Sequence, residues 1–182
     1  MSHRIHRFRP VSRIAQRKAR VIVTALAEHD ERLLMVQLAR GRFAGFWLLP
    51  SATVEDGTVE ETARSMFLER TGYSVVEQRL AGVQEEPRTG VLSLRLVFAM
   101  QIEELAMGPS DPEIARISWM TREMAQEALA ERDMVPTLGV MHLVRAWVEN
   151  LVLPPLDTLD NEMPCPCGSS YSYRGCCGWD MK

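Results

Sequence analysis

Cysteine is missing from all but one short stretch of this 182-residue chain: the four it has lie in "CPCGSSYSYRGCC", residues 165 to 177. A disulfide framework through the main body is thereby excluded. Lysine is nearly absent as well, with only Lys18 and Lys182, so arginine carries the positive charge. No run approaches the roughly 20 apolar residues that span a bilayer. No secretory signal is read before the first predicted strand, so a cytoplasmic protein without membrane association is the expectation. Acid is absent from the first twenty residues, which hold Arg4, Arg7, Arg9, Arg13, Arg17, Lys18 and Arg20. Since the net charge is -3, everything after them is clearly acidic. Such an arm reads as a solvated tail, and its charge also suits contact with phosphate or nucleic acid.

What is present suits one domain with short appendages. Hydrophobic residues make up 46% of the chain, ample for a core. "ARVIVTALAEHDERLLMVQLA", residues 19 to 39, predicts two strands around a turn at "EHDE". "FWLLP" predicts a short buried strand and "SATVEDG" a loop. "TVEETARSMFLER" then predicts a helix, with Thr58 and Glu61 as a capping box and Gly72 as its C-cap. Two longer strands follow, joined through "PRTG". In the second, Leu92, Leu94, Leu96 and Phe98 fall on one face and Ser93, Arg95, Val97 and Ala99 on the other, as in a strand with one face fully buried and the other partly so. One more strand in "PSDPEIARISWM" and two helices separated by Pro136 complete an α+β or α/β/α sandwich. The division is a basic arm over residues 1–18, a main domain over 19–150, a proline-containing linker over 151–163 and a small module over 164–182.

The small module has too few residues for a core of its own. Its spacing is C-x-C-x8-C-C, and four thiolates can close a tetrahedron on zinc at about 2.3 Å, supplying the folding free energy that the module lacks. Disulfides and redox chemistry are the other uses of such a cluster. Residues 164–178, with "PCPCGS", Tyr173 and "CCG", resemble the SEC-C motif, the zinc module named for the C-terminus of the bacterial preprotein-translocating ATPase. The resemblance implies Cys165, Cys167, Cys176 and Cys177 as ligands of a structural Zn2+ and a surface for a protein partner.

"WLLPSATVEDGTVEETARSMFLERTGY", residues 47–73, resembles the Nudix box, G-x5-E-x7-R-E-U-x-E-E-x-G-U, and the likeness extends over about residues 19–135. It implies a Nudix-like α/β/α sandwich with a mixed sheet. In active relatives the helical carboxylates hold Mg2+ or Mn2+ over a diphosphate, because hard cations need oxygen ligands. Anchored on Gly72, the box's arginine falls on Ser65, its first helical glutamate on Met66 and the later pair on Glu69 and Arg70, while the leading glycine becomes Ser51. Sliding the register so that Thr58 takes the box's first glutamate puts Phe67 and Arg70 at two of the helical ones and builds no carboxylate cluster.

Three readings stay open. The first is a domain that binds a nucleotide or other diphosphate compound, with Arg70 holding phosphate and Phe46 and Trp47 available to stack a base. The second is a hydrolase of nucleoside-diphosphate derivatives that uses Glu69 with Glu85 or Glu86 and Mg2+ or Mn2+. The third is a protein-binding adaptor. Met66, Phe46 and Trp47 also suit plain core packing, and Arg70 stands beside Glu69, which it can neutralise. The four histidines, His3, His6, His29 and His142, form no ligand pattern.

The full chain is expected to carry about one zinc. Metal analysis of purified protein checks this: absence of zinc, or disulfides among residues 165–177, would refute it.

Overall fold

The computed structural model describes residues 18–88, 91–105 and 107–150. The basic arm before residue 18, the linker and the cysteine cluster lie outside the described residues.

A mixed sheet is built from β1 (Lys18–Leu26), β5 (Ser51–Thr53), β6 (Tyr73–Arg88) and β7 (Val91–Leu105) in the order β5-β1-β7-β6. β1 runs parallel to β7, and the β5 and β6 pairings are antiparallel. A second sheet joins β2 (Glu28–His29), β3 (Arg32–Leu38) and β4 (Trp47–Leu48), with β8 (Ile114–Met120) paired to β3. The helices are α1 (Val59–Thr71), α2 (Arg122–Ala130) and α3 (Leu138–Val148). "SATVEDG" differs from the expected loop: Ser51–Thr53 pairs with β1, setting Thr24 opposite Ser51. Turn-forming residues here yield to the backbone hydrogen bonds that an adjacent strand offers.

Two apolar clusters divide the interior. One gathers Ala63, Met66 and Phe67 of α1 over Val23 and Ala25 of β1, Phe98 of β7 and Leu34 of β3. The other packs α2 and α3 against β3, β4 and β8, and Val97 reaches it from the opposite face of β7. Helices thus cover both sides of the strands. Phe67 is fully buried, and such a side chain contributes roughly 1.5–3 kcal/mol by leaving water. On β7 the burial follows the expectation of one face buried and the other partly so. Ser93, Arg95 and Val97 are 0%, 3% and 0% exposed, while Leu92 on the leucine face is 37% exposed. The face that carries the polar residues is the more deeply buried one, while Phe98 of the leucine face lies in the other core cluster.

α1 is defined at both ends. Glu61 N–H donates to the Thr58 hydroxyl, and the Glu61 carboxylate accepts from Thr58 N–H at 3.1 Å, which lowers the Glu61 pKa. Gly72 ends the helix at φ 76°, a left-handed conformation that favours glycine. Its N–H donates to Leu68 O and its carbonyl accepts from Met107 N–H. A Cβ on Gly72 would stand 1.8 Å from the Met107 carbonyl oxygen.

Gly72→Ala is therefore expected to cost at least about 2 kcal/mol, from the positive φ and the backbone collision together. Urea denaturation measures it, and a loss below half that value contradicts the geometry. His142 on α3 gives a pH signature. Burial lowers its pKa, opposed in part by Glu149, and its Nε2 is buried without a hydrogen-bond partner among the described residues. The unfolded chain binds this proton more readily, so stability is fully present above about pH 6.5 and falls as pH drops toward the lowered folded value. His142→Leu is expected to flatten that limb of the stability–pH curve.

Candidate functional site

The last turn of α1 and the loop between β7 and β8 meet around Arg70. Its Nε lies 3.1 Å from Asp111 Oδ2 and its Nη2 3.8 Å from Glu113 Oε2. The Arg70 and Asp111 side chains are each only 16% exposed, so the pair is far better shielded than a surface ion pair. Asp111 also accepts from Glu113 N–H through Oδ1 at 2.8 Å. The same loop caps the helix: Ser110 N–H and Asp111 N–H both donate to Glu69 O, at 2.8 and 3.0 Å. These bonds satisfy a carbonyl that the helix end would otherwise leave open.

The sequence sets Arg70 beside Glu69; the structure turns it to Asp111 and Glu113. Neighbours on a helix project about 100° apart, so adjacency in sequence gives no contact. Glu69 itself is exposed. Glu85 is exposed on β6, opposite Leu94, and Glu86 stands opposite Ser93 in the same register. Among the described residues no three of His, Cys, Asp and Glu are placed to hold a metal ion. Met66, at the position where the box has its first helical glutamate, is 4% exposed in the core. A thioether and a guanidinium do not fit a magnesium or manganese shell, which takes oxygen donors.

Trp47 is 9% exposed and belongs to the core against α2 and α3, with the Arg116 guanidinium 5.0 Å from its ring centre. Phe46 packs on that core from its edge, at 5.9 Å from Phe43 in an edge-to-face contact. Trp119 donates through Nε1 to the Tyr73 hydroxyl at 2.9 Å, which fastens β8 to the start of β6.

A polar constellation not singled out in the sequence lies on the inner face of the mixed sheet. The register sets Gln84 opposite Arg95 across β6 and β7, and Ile22 on the other side of Arg95. Arg95 Nη1 donates to Thr24 Oγ1 at 2.5 Å and reaches Ser51 Oγ at 3.5 Å, and Thr24 and Ser51 bond to each other at 2.9 Å. Thr24 and Ser93 are 0% exposed, Gln84 and Arg95 3%. Its sequence signal is the alternation of Ser93 and Arg95 with leucines, polar residues at inward positions of a strand.

No family model and no curated protein sequence matches the chain. Solved structures do match. A Nudix hydrolase from Nitrosomonas europaea is 26% identical, with a TM-score of 0.62 over 84% of this chain and 100% of that one. A second Nudix hydrolase from Nitrosomonas europaea is 19% identical, with a TM-score of 0.57 over 72% of each chain. A MutT Nudix hydrolase from Burkholderia pseudomallei is 20% identical, with a TM-score of 0.51 over 59% of this chain and 86% of that one. Element order, mixed sheet and flanking helices agree with these likenesses, and the described domain has the Nudix fold.

Proposed function

We propose that the domain binds a nucleotide or another diphosphate-containing compound and does not hydrolyse it at the rate of a metal-dependent Nudix enzyme. The engagement of Arg70 carries this reading. Where the box has a metal-binding carboxylate, this chain has a cation already held by Asp111 and Glu113. A divalent ion would meet a fixed positive charge there, with Glu69 as the one carboxylate left at the box's helical metal positions. Without a metal, neither Lewis-acid polarisation of phosphate nor a lowered pKa for bound water is available. The buried polar face of the sheet supplies hydrogen-bonding groups for a ligand without any metal. Outside the domain, the four cysteines are proposed to hold one structural zinc and to offer a protein-binding surface.

The deciding measurement is a phosphate-release screen over nucleoside-diphosphate compounds with Mg2+ and Mn2+, run beside a binding screen in EDTA. Turnover well under about 1 per second is expected, with binding preserved in EDTA and in Glu69→Gln. Faster turnover that Glu69→Gln abolishes would establish the hydrolase that uses Glu69 with Glu85 or Glu86.

Arg70→Glu tests the charge argument from the other side, since it gathers a third carboxylate with Asp111 and Glu113. The expected result is a melting temperature lower by about 5 °C or more in EDTA, largely recovered by millimolar Mg2+ or Mn2+. The unaltered chain should show no such recovery.

A further inference from the structure

Two buried polar atoms of the inner sheet face have no hydrogen-bond partner among the described residues: Gln84 Oε1 and Ser93 Oγ. Both side chains are almost wholly removed from water, at 3% and 0% exposure. They stand on neighbouring strands on the same face, Gln84 opposite Arg95 and Ser93 two residues before it. Native structures keep few such atoms, because each forfeits the hydrogen bonds that water gave the unfolded chain. Packing alone would be better served by leucine and alanine. Across the patch, Thr24 and Ser51 hold Arg95 through their hydroxyls. One end of the patch is thus fastened by the protein while the other presents polar atoms for which no described residue supplies a partner.

We infer that Gln84 and Ser93 are specificity-determining residues that receive the base of a nucleotide rather than its phosphates. The inference rests on the nucleotide reading above and extends it to one end of the ligand. In its assigned orientation the Gln84 Oε1 is an acceptor and requires a donor. An ionised diphosphate has no donor and would leave that oxygen as it is. The edge of a nucleobase sets an N–H beside an acceptor, so it satisfies Gln84 Oε1 and the Ser93 hydroxyl together.

Calorimetric titration of the full chain with nucleoside 5′-diphosphates and with inorganic pyrophosphate tests this, on the parent, Gln84→Leu and Ser93→Ala. Each substitution is expected to weaken nucleoside diphosphate binding about fivefold or more and to leave pyrophosphate affinity within about twofold. Both variants should also melt about 2 °C or more above the parent without ligand, because each removes an unsatisfied buried atom. Equal losses for nucleotide and pyrophosphate, or unchanged nucleotide affinity, overturn the assignment. Lower melting temperatures in both variants would also overturn it, since the polar atoms would then serve the fold. Failure of the parent chain to bind either compound overturns the ligand reading itself.

Discussion

At the C-terminal end of α1 the backbones of Gly72 and Met107 stand too close for any side chain between them, and the loop before β8 depends on that contact. Glu69 O takes two N–H bonds from the loop, and Arg70 takes its carboxylates. Helix end, loop and β8 are thereby held as one unit. β8 pairs with β3 along most of its length, so the same fastening orients the second sheet against the first. The capping box at the other end fixes where α1 begins. A helix defined at both ends has little freedom to slide on the sheet, and Ala63, Met66 and Phe67 meet the strands in one register.

This arrangement bears on chemistry through charge. A divalent ion neutralises a carboxylate group only while bound, whereas an arginine in the chain does so at every metal concentration, with planar donors that match carboxylates. Arg70 between Asp111 and Glu113 gives the loop a permanent counter-ion. The helix end and the loop before β8 are joined through this one side chain as well as through the backbone.

The inner face of the mixed sheet shows the opposite economy. Arg95, Thr24 and Ser51 satisfy one another in part, but Gln84 and Ser93 leave polar atoms buried and unmatched. Buried groups of this kind weaken a fold unless something completes them, and sites that bind are the usual place where stability is given up. Val97, two residues beyond Arg95 on the same face, is where that face turns from polar to apolar.

The sequence by itself determined the ends of α1, the strand alternation of β7, the paired terminal helices and the likeness to the Nudix box. Each depends on residues within a few positions of one another: Thr58 and Glu61 are three apart, and Gly72 needs only its own φ. Which face of β7 is the more deeply buried, what Arg70 touches, and that Ser51–Thr53 is a strand all came from the folded arrangement. The partners in those cases are Asp111 and Glu113 for Arg70, in the loop before β8, and Thr24 for Ser51, 27 residues away. Local propensity and periodicity carry no information about such distant partners, because sheet register and loop closure choose them when the chain folds.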